Sequence, residues 1–292
     1  MRELVVDTLS KLVESFVVPA DPDDLDARDP EILQALAPLL DILTKIYYRL
    51  EVEGLERVPD GKALVVINHN AGITFAELLG FGARFVTERG IDDAIYGLGH
   101  DKILSVPFLK NFLIKAGGVR ASHGHGDKVL AANRKILVAP GGNMEAYRPY
   151  KDRHRIDFSN RRGFLRLAVR HGAPIAPTVF IGGHETFAVL HDGRQIAEAL
   201  GLKKYFRIDT FPLFLGLPWG VGVGPIFHLP LPSKCKVRVL DPITTVEYGP
   251  EAEHDEAALT ELYEKVTGAM QKALTEMAAE RRWPVLVSWR QA

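Results

Sequence analysis

Two short stretches of the 292-residue chain place chemically capable residues where a fold could use them. The first is Asn68-His69, directly after the uninterrupted apolar run 63–67 (ALVVI). Such a run, following the turn Pro59-Asp60-Gly61, predicts a buried strand. Open α/β sheets place reactive groups just beyond the carboxyl ends of strands of this kind. Imidazole is the side chain best matched to proton transfer near neutral pH, so His69 is the candidate general base. A histidine in this place can also do no more than hydrogen-bond a loop carbonyl. The second stretch is Pro140-Gly141-Gly142, at the end of a predicted strand over 135–139. Its glycines let backbone N–H groups approach a ligand closely.

Charge is spread unevenly around these stretches. Residues 148–170 hold eight Lys and Arg against Asp152 and Asp157, a local +6 in a chain of net charge −1. A phosphate-bearing ligand would account for this basic run, and a solvated face would account for most of it. The near-neutral whole excludes a general polyanion binder, so no nucleic-acid partner is expected. His123-Gly124-His125-Gly126-Asp127 has the H-x-H-x-D spacing of a metal site, but Lys128 stands where a further His would be needed. No metal is therefore expected. There is no G-x-S-x-G elbow and no plausible Cys-His pair, which disfavours a covalent acyl-enzyme. Cys235 is the single cysteine, which excludes an intrachain disulfide framework and a Cys-rich zinc site.

The elements that must position these residues follow from periodicity. Apolar residues recur at helical spacing over 3–18 and again over 31–50, separated by the acidic, Pro-containing break 19–30. These two amphipathic helices can dock on the core or on a bilayer, and docking on the core is favoured because their polar faces are not basic. From residue 51 short strands and helices alternate. Helices are predicted over 74–89, 106–116, 127–133, 160–171 (capped by Ser159) and 255–282, and strands over 63–67, 94–98, 135–139, 174–181 and 235–240. This alternation predicts one α/β domain over 51–292, built on a mixed, largely parallel sheet flanked by helices and preceded by the helical segment 1–50. Residues 211–231 contain no Asp, Glu, Lys or Arg, yet four prolines and four glycines bar a membrane-spanning helix. They are expected either to form a buried wall or to lie shallowly against an apolar phase.

Several blocks, in order along roughly residues 48–245, resemble the glycerolipid (lysophosphatidic-acid-type) acyltransferase superfamily. EVEGLERVPDGKALVVINHN is similar to its entry segment, with the v-x-G-x-E-x-x-P…NH signature. VAPGGNMEAYRP and NRRGFLRLAVRHGAPIAPT resemble the P-G-G-x-x-E-A and N-R-[KR]-G-F blocks of its mono- and diacylglycerol acyltransferase branch, and LPLPSKCKVRVLDPI its closing block. The resemblance implies an O-acyltransferase that moves a fatty acyl group from acyl-CoA or an acyl carrier protein to a hydroxyl of a glycerolipid or other lipid alcohol. No cofactor is implied beyond that co-substrate.

His69 would then be the general base. The family's H-x-x-x-x-D pairs the histidine with an Asp five residues on, where this chain has Thr74. Glu77, eight residues on, is the nearest acid and is assigned the Asp's role of orienting the ring. Its other reading is a carboxylate favoured at a helix N-terminus. The candidate substrate-binding residues are Asn68, His100, Pro140, Gly141, Gly142, Glu145, Arg161 and Arg162. Relatives carry F-P-E-G-T-R where Gly141 and Met144 replace the Glu and the Arg, which favours a neutral acceptor. A hydrolase using the same histidine, or an inactive acyl-CoA-binding protein, are the rival readings. The expected location is the cytoplasm, peripherally on the membrane surface.

Overall fold

The run ALVVI forms a strand buried along its whole length, Ala63–Ile67 (β2), because both faces of the sheet are covered. Alternate residues divide between two cores. Leu64 and Val66 join one apolar cluster, and Val65 and Ile67 join the other. The computed structural model describes residues 2–69, 72, 76–99, 104, 109–206, 209–224, 226 and 229–281.

Among the described residues the strands are Glu51–Glu53 (β1), β2, Tyr96–Gly99 (β3), Gly118–Arg120 (β4), Lys135–Val138 (β5), Ile175–Ile181 (β6), Ala188–His191 (β7), Leu213–Gly216 (β8), Gly220–Val223 (β9) and Lys236–Val239 (β10). The helices are Arg2–Val17 (α1), Pro30–Tyr47 (α2), Ala76–Arg89 (α3), Leu109–Lys115 (α4), His123–Ala131 (α5), Gly142–Ala146 (α6), Gly163–Arg170 (α7), Gly183–Thr186 (α8), Arg194–Ala199 (α9), Leu202–Phe206 (α10) and Glu256–Glu280 (α11).

Seven strands make the central sheet in the order β1-β10-β6-β2-β5-β3-β4. The five from β6 to β4 are parallel, while β10 runs antiparallel to β6 and parallel to β1. The sheet is thus mixed and largely parallel, as the alternation predicts. Phe164, Leu165 and Leu167 of α7, Val129 and Leu130 of α5, and the Leu259–Leu262–Val266–Met270 stripe of α11 fill one face. Phe81 and Phe85 of α3 fill the other. A second sheet, β7-β8-β9, is antiparallel.

Both N-terminal helices dock on this body. The α2 helix buries Ile32, Leu36 and Ala37 and packs against α3, and α1 stacks Phe16 on Phe112 of α4 at 4.9 Å. Several expected boundaries move. Ser159 does not cap α7: it and Asn160 both have φ of 53°, a left-handed turn, and the helix starts only at Gly163. The α5 helix starts earlier than expected, at His123, because the Ser122 side chain accepts from the His125 N–H and caps it. Residues 211–231 include the hairpin β8–β9, whose outer face is exposed, so they are not a buried wall.

Candidate active site

The strands β6, β2 and β5 are adjacent and parallel, so the segments that follow Ile67, Val138 and Ile181 emerge side by side at one edge of the sheet. His69, Pro140-Gly141-Gly142 and His184 all sit on that edge. In a parallel sheet this is where side chains from separate loops converge.

Asn68 fixes the point at which the chain leaves β2. Its Nδ2 donates to the Phe180 carbonyl at 2.9 Å, and its Oδ1 accepts from the Phe180 N–H at 2.8 Å. Both polar atoms are therefore used in prolonging the β2–β6 pairing. In this structure the residue expected to contact substrate closes the sheet. His69 follows, half-buried, and its backbone N–H donates to Glu145 Oε2 at 2.9 Å. Gly72 donates its N–H to the Ala146 carbonyl at 2.9 Å, so the loop after His69 is tied to α6 at a second point.

Glu145 is fully buried. Besides the His69 N–H, it accepts at Oε1 from the Asp157 N–H and from Arg148 Nη2, each at 3.2 Å. Burial pushes its carboxyl up to about 7, against the Arg148 guanidinium and the two backbone donors. Enclosed in this way, the carboxylate holds the histidine loop at the His69 N–H, while the expected substrate-binding role would have to be exercised through that loop. Gly141 makes room for it. A Cβ at 141 would fall 2.2 Å from Glu145 Cγ.

Pro140-Gly141-Gly142 forms the turn into α6, with Gly142 at φ 54°. Arg161 latches the turn by donating from Nη1 to the Pro140 carbonyl at 2.8 Å. Arg161 also lines a cavity of about 730 Å³ together with Met144, Arg194, Lys203, Lys204 and Asp209. Arg162 is turned towards α11. Its Nη1 donates to the Glu256 carbonyl and carboxylate and to Thr260, tying α7 to the first turn of α11, so the structure shows it in a scaffold contact rather than on the cavity.

The basic run is largely neutralised from outside its own segment. Arg148 pairs with Glu145, Arg153 with Glu185, Arg166 with Glu256, and Arg170 with Asp127 and Glu253. The local +6 of the sequence is therefore mostly internal pairing, and Arg161 is the member that faces the cavity. The H-x-H-x-D residues also serve the scaffold. His125 contacts Ser122 and Asp23, while Asp127 accepts from Arg170 and pairs with His171.

Periodicity and motif did not single out His184. It is buried at the carboxyl end of β6, its ring hydrogen-bonds to the His69 backbone, and its Nδ1 has no protein partner. Burial first, and the Arg148 charge second, push it down to about 3, so it is neutral at physiological pH. Gly182-Gly183-His184 has the same strand-then-histidine pattern that marks His69. The pattern went unread because nothing in the sequence says that β6 lies beside β2. The next residue, Glu185, is held at about 2 despite its burial, by the nearby His154, 3.9 Å away, and by Arg281, which donates to it at 2.8 Å.

Glu77 lies buried in the first turn of α3, next to Tyr48 and Cys235. Burial and then the Glu77 charge push both of those groups up. Its side chain thus faces the interior, towards Tyr48 and Cys235. Thr74 and His100 lie outside the described residues. His100 follows directly on β3.

The chain matches the diacylglycerol acyltransferase family over residues 62–266. It is 31% identical over 256 residues to an uncharacterised protein of Mycobacterium tuberculosis (strain H37Rv), covering 87% of this chain and 69% of that one. It is 24% identical over 246 residues to the mouse (Mus musculus) DGAT1/2-independent enzyme synthesizing storage lipids, covering 83% and 69%. In fold it is similar to the 1-acyl-sn-glycerophosphate (LPA) acyltransferase PlsC from Thermotoga maritima, with a TM-score of 0.54 and 17% identity over 94% of this chain and 88% of that one. The matched span opens at β2 and takes in the His69 loop, the Pro140 turn with Glu145, and the Arg161 block, so the chain belongs to the diacylglycerol acyltransferase family.

Proposed function

We propose that the protein transfers a fatty acyl group from an acyl thioester, either acyl-CoA or an acyl carrier protein, to a hydroxyl of a glycerolipid or other lipid alcohol. The observation that carries this reading is a histidine at the carboxyl end of a central strand, gripped at its backbone N–H by the buried Glu145 of the family's P-G-G-x-x-E-A block. His69 takes the proton of the acceptor hydroxyl as its oxygen bonds to the thioester carbonyl carbon. The tetrahedral intermediate then collapses, the C–S bond breaks, and the thiolate leaves with the proton that His69 returns. Glu77 is assigned to the imidazolium that forms in between, as the carboxylate that stabilises it. The phosphates of the donor are assigned to the cavity beside Arg161, where Arg194, Lys203 and Lys204 also stand.

Acceptor and product are lipids in this reading, and a bilayer is their solvent. No helix among the described residues is long and apolar enough to cross a membrane. Association is therefore assigned to the surface, where the outer side of α2 leaves Leu39, Ile42, Leu43 and Ile46 exposed.

The test is product analysis with labelled acyl-CoA and mono- or diacylglycerol. The parent chain forms labelled ester. His69→Ala loses on the order of 10²–10⁴ in rate while staying folded. Labelled free acid as the main product would make the protein a hydrolase. A His69→Ala rate within a few-fold of the parent would remove His69 from the chemistry.

A further inference from the structure

The outer face of the hairpin β8–β9 is made only of apolar side chains. The register pairs Leu213 with Val223 and Leu215 with Val221, and β7 adds Ala188 beside Leu215 and, past a bulge, the exposed His191 beside Leu213 at the edge. Paired residues of an antiparallel ladder share a face, so these apolar residues point the same way, with His191 at their margin. The opposite face buries Val189 and Phe214 against Phe187, Tyr147 and Ala146. It is packed so tightly that a Cβ at Gly222 would lie 2.3 Å from the Phe214 ring. With the inner face sealed, the outer one is left to solvent. Leu215 is 42% exposed, Val221 65%, Val223 55%, and Trp219 beside the turn 54%.

We propose that this face rests on a lipid surface, with Trp219 at the level of the headgroups. Charge selects that partner. No Asp, Glu, Lys or Arg occurs from 211 to 231, so the hairpin itself carries no charge to pair with a protein partner, and the polar groups beside it, His191, Asp192 and Arg194, stand at its β7 margin. The two sides of the small sheet also connect lipid to the reaction. Its inner face stands on Ala146 and Tyr147, which directly follow the Glu145 that holds His69. A seated hairpin thus brings the bilayer within one packed layer of the histidine loop. The choice of a lipid partner rests on the acyl-transfer reading, but the docking itself is tested without turnover.

The experiment is flotation of the full chain with vesicles of pure phosphatidylcholine, free of substrate, at low and high salt. A triple variant, Leu215→Ser with Trp219→Ser and Val221→Ser, alters outward-facing positions only. The parent is expected to float equally well at both salt concentrations, and the variant to partition on the order of 10²-fold less. In a Trp283→Phe, Trp289→Phe background, Trp219 emission should shift to shorter wavelength on vesicles and be quenched by doxyl-labelled lipid. A parent that never floats, or a variant that floats like the parent, overturns the proposal. So does a parent that is dimeric in the absence of lipid and becomes monomeric in the triple variant, since the face would then belong to a second copy. Transfer between a short-chain donor and a water-soluble alcohol, measured on the same proteins, separates the two readings. Lost flotation with intact transfer in the variant supports the docking face. Parent flotation that the variant loses supports it equally when neither protein transfers, although the acyl-transfer reading then fails.

Discussion

Glu145 concentrates more of the site's organisation than any other described residue, and replacing it separates positioning from packing. Its carboxylate accepts from three donors: the His69 N–H, the Asp157 N–H and the buried Arg148. Glu145→Leu has similar bulk and no acceptor. It orphans both N–H groups and leaves Arg148 buried without its counter-charge, so a loss of about 3–5 kcal/mol is expected. Glu145→Gln retains one oxygen. The carboxyl is already pushed up to about 7, so the fold bears its charge at little net gain, and the missing acceptor is what counts. That loss is about 1–2 kcal/mol for a single buried hydrogen bond. Activity should follow a different scale, because displacing the His69 loop by about 1 Å costs on the order of 10²-fold in turnover. Urea unfolding gives the stabilities. Initial rates with an acyl-CoA series give kcat and KM, and kcat should fall much more than KM rises. The pH dependence has a definite sign. A carboxyl raised from 4.5 to about 7 stabilises the fold fully below pH 4.5, and that contribution is lost as pH rises through 7. The stability gap between the parent and Glu145→Gln should therefore narrow from pH 5 to pH 8. A Glu145→Gln enzyme with the parent's kcat and pH profile would refute the positioning argument. A Glu145→Leu protein of normal stability would refute the account of the buried network.

Other consequences follow for neighbouring residues. Glu77→Gln should lower kcat by about 10²-fold or more with little change in donor KM, and a normal rate with a normal pH profile would leave His69 without this partner. His184 titrates at about 3 rather than 6.5, so its neutral form stabilises the fold above pH 6.5 and that contribution is lost as pH falls towards 3. In urea titrations at falling pH the parent should weaken faster than His184→Gln, by at most about 1.4 kcal/mol per pH unit. Equal slopes would mean the ring is not held neutral. Arg161→Ala should raise KM for acyl-CoA about tenfold with stability nearly unchanged, whereas Arg162→Ala should cost about 1 kcal/mol of stability and leave KM alone. The reverse pattern would reassign the two arginines.

The sequence alone determined the type of fold and the place of the candidate base. ALVVI reads as a strand buried on both faces, the alternation reads as a mixed, largely parallel sheet, and His69 stands at the strand's end whatever its neighbours are. The ordered blocks from the entry segment to the closing LPLPSKCKVRVLDPI carried the family. These are local or sequential properties, and hydrophobic period and motif order record them directly.

Side-chain roles required the tertiary structure. Glu145 read as a ligand contact until the fold enclosed it beneath the His69 N–H. Arg162 read as a phosphate contact until α11, more than ninety residues on, brought Glu256 and Thr260 to it. The +6 run left a phosphate-binding face and a solvated face both open until Glu185, Glu253 and Glu256 arrived from distant segments. His184 could not be singled out before β6 was known to lie beside β2. The uncharged segment 211–231 left a buried wall and an exposed face equally open until strand pairing sent Phe214 inward and Leu215 outward. A sequence records what each side chain can do. Whether its hydrogen-bonding capacity and charge are spent inside the fold or left for a ligand depends on strand order and on contacts between distant segments, and only the folded chain specifies those.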